Sequence, residues 1–168
     1  MRENIYHSNL FINFLTLLQQ RSPVKAVIRG SALYPEINGI VYFYQTNFGV
    51  IVAAEITGLP KPANLCENPI FALHIHSGGR CLGNAEDPFA EAMTHYNPDD
   101  CDHPNHAGDL PPLFGNNGYA FSVFLTDRFD VNEVIGKTII IHSQPDDFTS
   151  QPSGNSGEKI ACGVITPV

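Results

Sequence analysis

Six of the seven histidines in this chain fall between His74 and His142, and their types and spacing suit two metal ions. His74 and His76 flank Ile75, His95 follows, then His103, His106 and Asp109, and His142 closes the run Thr138-Ile139-Ile140-Ile141. Imidazole serves both zinc and copper, and a carboxylate beside a histidine cluster is a usual companion for zinc. On a strand, residues two apart point to the same face, so His74 and His76 would form a rigid half-site, with His142 arriving from another part of the sheet. Three or four imidazoles without a thiolate suit copper. The second group, His103-x-x-His106-x-x-Asp109, supplies two nitrogens and a carboxylate, one ligand short of a tetrahedral zinc, and His95 is the natural fourth. Its two ring nitrogens are distinct, so with both protons removed it could hold an ion on each side.

These residues need strands to aim them, and the pattern is a repeated short apolar run ending in a turn signal. Strands are expected over 24–29, 40–45, 48–56, 71–76, 119–126, 137–141 and 160–165, the second and third forming a hairpin through Asn47. Two segments, 77–113 and 143–158, lack strand patterning; unstructured stretches of that length are usually functional, and the first holds four of the seven candidate ligands. Short strands without alternating helical patterns predict an all-β antiparallel barrel or sandwich. Residues 1–22 read as a separate helical leader, with Ser8 as N-cap, Phe11, Phe14, Leu15 and Leu18 on one side, and Pro23 beyond its end. Its role would be to pack on the domain, 23–168, or against a partner chain, which leaves room for a homodimer.

Charge narrows the partners. Nine Lys and Arg against 17 Asp and Glu give a net charge of -8 with no basic run, which argues against nucleic acid and against an acidic membrane surface. No apolar stretch approaches the ~20 residues a membrane helix requires. Four cysteines, Cys66, Cys81, Cys101 and Cys162, allow three fully paired connectivities and form no C-x-x-C motif. Their wide spacing points to structural disulfides and an oxidising compartment, whereas the N-terminus shows no small-residue cleavage site. The compartment stays open between these signals.

His74-Ile75-His76, His95-Tyr96-Asn97-Pro98, His106-Ala107-Gly108-Asp109-Leu110, His142 with Asp146, and Ala161-Cys162-Gly163-Val164-Ile165 together resemble the copper/zinc superoxide dismutase family over roughly residues 24–168. The resemblance implies an eight-stranded antiparallel Greek-key barrel, an immunoglobulin-like sandwich with two long functional loops. It implies copper on His74, His76, His95 and His142, zinc on His95, His103, His106 and Asp109, and His95 as the shared imidazolate. Asp146 matches a carboxylate that bonds to one copper ligand and one zinc ligand. Cys81 and Cys162 match the family disulfide, leaving Cys66 and Cys101 as a second bridge by elimination only. The implied reaction is dismutation of superoxide to oxygen and hydrogen peroxide by a redox-cycling copper, with His95 and the anion-guiding position as catalytic residues.

Departures from the family pattern set further expectations. Lys159 stands where the family carries arginine, keeping the charge but losing the planar fork, so weaker guidance of superoxide is expected. Asp146, Asp147 and Glu158 make the segment between His142 and Lys159 acidic. Only Pro104 and Asn105 separate His103 from His106, a short loop that could strain the zinc group, and Cys101, two residues before His103, could compete as a zinc ligand if reduced. Two other functions share the ligand set: a copper/zinc-binding protein with little dismutase activity, and a zinc-stabilised structural module. The complete four-histidine copper set weighs against the second.

Overall fold

The computed structural model describes residues 24–64, 66 and 69–168; the leader helix expected over 1–22 lies outside the described residues. Eight strands run antiparallel: β1 (Val24–Gly30), β2 (Asn38–Thr46), β3 (Gly49–Thr57), β4 (Ile70–His76), β5 (Asp109–Phe114), β6 (Ala120–Thr126), β7 (Thr138–His142) and β8 (Lys159–Pro167). Their spatial order is β5-β4-β7-β8-β1-β2-β3-β6, which curls until β5 and β6 stand side by side across a seam without a ladder among the described residues. With β7 returning beside β4 and β3 beside β6, the order is that of interlocked Greek keys, and the expected nearly closed barrel is what forms.

Alternation fills the barrel. Val41 and Phe43 of β2, Val52, Ala54 and Ile56 of β3, Phe71, Leu73 and Ile75 of β4, and Ile139 and Ile141 of β7 meet in one apolar core. The alternate positions of β4, His74 and His76, therefore face away from that core. They are nonetheless buried, 0% and 2% exposed, because the segments 77–108 and 143–158 roof the outer face. Under that roof Phe89, Ala92, Ile140 and Cys162 make a second, smaller apolar cluster outside the barrel, against which Cys81 packs.

Besides a single 3-10 turn at Ala90–Ala92, two elements were not expected from sequence. β5 lies inside the segment that lacked strand patterning, because Pro111 and Pro112 remove two backbone donors; the strand forms at the seam, where one ladder to β4 suffices and the register shifts between Phe71 and Leu73. A four-residue helix, α1 (Val131–Val134), follows Asp130, whose N–H is held by Glu133 Oε2 at 2.6 Å.

Of the cysteine pairings, Cys81–Cys162 is formed, while Cys66 and Cys101 are both free and exposed, which corrects the second bridge. Cys101 is held in a local turn by the Asn97 side chain, which accepts its N–H at 3.0 Å and donates to its C=O at 2.9 Å. Cys101 is likewise outside both candidate metal groups. The formed bridge closes a sequence separation of 81 residues and pins the long segment to β8. Replacing both partners, Cys81→Ser with Cys162→Ser, is expected to cost about 2–5 kcal/mol of unfolding free energy. A urea titration of the two proteins measures this, and coincident midpoints would contradict it.

Candidate metal centre

Each candidate ligand is delivered by a backbone constraint. His74 and His76 stand on the outer face of β4, and the chain then loops back so that His95 forms a bridge opposite His76. Ile75, between them, is gripped on both sides: its C=O accepts Tyr96 N–H at 2.8 Å and its N–H donates to Gly108 O at 2.9 Å. Position 108 must be glycine, since a Cβ there would overlap the Ile75 carbonyl oxygen. One residue on, β5 begins at Asp109, directly opposite His74. His142 ends β7, the neighbour of β4 on the other side. Between His103 and His106 the short connection closes as a turn through Asn105 N–H to Asp102 O at 2.9 Å.

The result is two groups that share one residue. His74, His76, His95 and His142 bring ligand atoms within 4.8 Å of one another, as do His95, His103, His106 and Asp109, and all seven residues are buried. His95 stands between them, its ring 4.0 Å from that of His74 and 5.5 Å from that of His106.

Hydrogen bonds fix which nitrogen remains open on four of the six rings. His74 Nε2–H donates to Asp146 Oδ2 at 2.8 Å and His103 Nε2–H to Asp146 Oδ1 at 2.9 Å, so one carboxylate orients a ring in each group. His76 Nδ1–H donates to Met93 O at 2.8 Å, and His142 Nδ1–H to Gly157 O at 3.3 Å. The open atoms then face one another. His76 Nε2 and His142 Nε2 are 3.3 Å apart, and His103 Nδ1 is 3.0 Å from Asp109 Oδ2 without a hydrogen bond. His95 Nδ1 lies 2.7 Å from Asp109 Oδ1 and 3.4 Å from His106 Nδ1, while its Nε2 is buried without a partner, as is His74 Nδ1.

Lone pairs converging in a buried space are unfavourable unless a cation lies among them, and buried unpaired polar atoms call for such an explanation. A tetrahedral ion with bonds of ~2.05 Å has ligand-to-ligand edges of about 3.3 Å, the scale of these separations. The residues present therefore fit two cations, one on four imidazoles and one on three imidazoles and a carboxylate. A cleft of about 630 Å³ reaches His76, His95 and His142, so the all-histidine group opens to solvent; of the second group His106 also lines it, while His103 and Asp109 do not.

Sequence reading missed three supports. Arg128, in the turn after β6, donates through Nη1 to Pro104 O at 2.8 Å, His106 O at 3.1 Å and Asp109 O at 3.2 Å, clasping the backbone of the second group. Gly154 packs against the Asp146 carboxylate and His103 Nε2 at φ +66, where a Cβ would collide with both. Asp87 holds Lys159. None of the three carries a spacing signal, because its partners are brought to it only by the fold.

Electrostatics favours the neutral form of His74, His76 and His142 and the ionised form of Asp109 and Asp146. Burial, reinforced by the neighbouring imidazoles, lowers His74, pushes His76 well below the usual 6.5, and takes His142 to about 3. Burial would raise Asp146, but the bonds from His74, Phe148 N–H and His103 outweigh it and hold the carboxyl at about 2. For Asp109 burial is likewise overcome by the bond from His95 and the three histidines around it, so its pKa falls.

As pH drops below 6.5, the unfolded chain protonates these histidines while the folded chain does not until about 3 for His142, so acid favours unfolding throughout that window. The Asp146 contribution adds the same sign, being present above 3.8 and lost as pH falls toward about 2. The melting temperature of the metal-free protein should therefore fall steadily from pH 7 to about 4, which thermal scans across that range measure; a flat profile would contradict the neutral-imidazole assignment. Arg128→Met should weaken zinc retention about 10–100-fold in a competitive chelator titration, with copper retention less affected and Arg128→Lys partly restoring it. Equal zinc affinity in all three proteins would remove Arg128 from the site.

This chain is similar to known proteins. The family model described as copper/zinc superoxide dismutase (SODC) matches residues 37–165. Superoxide dismutase [Cu-Zn] 2 of Aquifex aeolicus is 34% identical over 145 residues, covering 77% of this chain and 80% of its own. Superoxide dismutase [Cu-Zn] of Legionella pneumophila is 32% identical over 139 residues, covering 78% and 79%. Among solved structures, the Cu/Zn superoxide dismutase from Brucella abortus shares the fold at a TM-score of 0.72 and 21% identity, over 85% of this chain and 99% of that one. With both ligand groups assembled on the matching barrel, this chain belongs to the copper/zinc superoxide dismutase family.

Proposed function

We propose that the protein dismutates superoxide to oxygen and hydrogen peroxide, with copper held by His74, His76, His95 and His142 and zinc by His95, His103, His106 and Asp109. Bound copper supplies the one-electron redox chemistry, and bound zinc supplies a fixed positive charge on the far side of the His95 ring. The observation that carries this reading is the His95 ring itself, with Nδ1 among the zinc-type ligands and Nε2 unpartnered and turned toward the group that opens on the cleft.

His95 Nε2 is the atom at which a proton is held for the peroxide product, because it is buried, lacks a competing partner and borders the solvent-connected cleft. Asp146 keeps the rings of His74 and His103 from rotating as that proton moves. Met93 O and Gly157 O fix His76 and His142 in the tautomer whose Nε2 faces inward. Lys159 lines the same cleft and supplies the positive charge that an incoming anion meets. Open access to the all-histidine group favours an enzyme over a carrier, since a catalytic site keeps a position open. A second copy of the chain is the partner this reading retains, supported by the exposed apolar row Phe121, Val123 and Leu125 on the outer face of β6.

Metal analysis and a superoxide-decay assay on one purified sample test the proposal. The expected result is about one copper and one zinc per chain with fast decay, and a fall of at least about 10²-fold in His95→Ala. Full loading with decay no faster than buffer would favour the metal-binding protein instead. Light scattering on the same sample should give twice the 18.4 kDa chain mass.

A further inference from the structure

Lys159 is the one lysine or arginine lining the cleft among the described residues, and Glu86, Asp87 and Glu158 line it too. A regular strand would not aim it there. Ile141 pairs with Ala161 while His142 pairs with Lys159, so Ile160 is an extra residue on β8. Ile160 and Ala161 both join the barrel core, and this bulge turns Lys159 out to the side of His142.

Once there, its ammonium is occupied. Nζ donates to Asp87 Oδ2 at 2.7 Å and to Phe89 O at 3.2 Å, with the lysine side chain 15% exposed. Asp87 is itself fixed by its turn: Oδ1 accepts Phe89 N–H at 3.0 Å, and its own N–H donates to Asn84 Oδ1 at 2.9 Å. One carboxylate oxygen thus caps the turn while the other grips the lysine.

We infer that Asp87 is a positioning and specificity residue for the anion site: it holds Lys159 at the cleft and offsets its charge, so a small anion must compete with the Asp87 carboxylate for the ammonium. The inference rests on the proposed function and deepens it. A partly buried pair is screened less by salt than an exposed one, so the competition persists at physiological ionic strength. Asparagine at position 87 retains an oxygen for Phe89 N–H but removes the negative charge, which separates the structural from the electrostatic role.

The experiment uses the copper- and zinc-loaded protein with Asp87→Asn, Lys159→Met and the double variant, reading azide affinity by visible absorption and superoxide decay against ionic strength. Asp87→Asn should bind azide about two- to tenfold more tightly, decay superoxide faster and show a steeper salt dependence. In the Lys159→Met background the same change should have little effect, since its action passes through the lysine. Unchanged azide affinity in Asp87→Asn would overturn the inference, and so would an equal gain with and without Lys159. Should Asp87→Asn fold poorly, Asp87→Ser keeps a capping oxygen and carries the same expectation. Azide binding that follows this pattern without dismutation in the parent protein would sink the enzyme reading and leave the Asp87 inference standing.

Discussion

Asp146 bonds with one oxygen to His74 and with the other to His103, so the orientation of a ring in each ligand group is set by the same buried carboxylate. Everything else at the site is arranged so that this can happen away from water. The carboxylate stays ionised because three donors outweigh the penalty of burial, and the two rings, having spent their Nε2 protons on it, present Nδ1 to their respective centres. Such coupling makes the two groups one structure. A change that rotates either ring disturbs the partner through the oxygen they share.

The barrel supplies rigidity but not shelter. Its core takes the inward positions of β4 and β7, leaving the chemical residues on the outside, where only two irregular segments cover them. Irregular backbone over a buried polar site must be tied down, and the ties here differ in kind: the Cys81–Cys162 bond, the Arg128 clasp on three carbonyls, the ladder-like contacts of Ile75 with Tyr96 and Gly108, and the Lys159–Asp87 pair. Each fastens a loop to a strand or turn distant in sequence, which is how long connections can present ligands with strand-like precision.

This division explains what the sequence disclosed. Strand alternation and turn residues located seven strands, and the spacing of histidines with Asp109 located the residues of both candidate metal groups, because both signals are local or nearly so. β5 stayed hidden behind Pro111 and Pro112, whose cost vanishes only at a seam that a linear reading does not see. Asp146, Cys81 and Cys162 were legible through resemblance, not through spacing. Asp87, Arg128 and Gly154 escaped altogether, since an aspartate, an arginine or a glycine in a loop has no pattern until the fold supplies its partner.

The bulge at Ile160 has a consequence for how this chain can vary. Lys159 and Cys162 are three positions apart, a separation of odd parity that would send a charge and a sulfur to opposite faces of an unbroken strand. Both serve the outer face only because one additional residue is absorbed between them. Length in this short stretch is therefore quantised: gaining or losing a single residue would spare one function and misdirect the other.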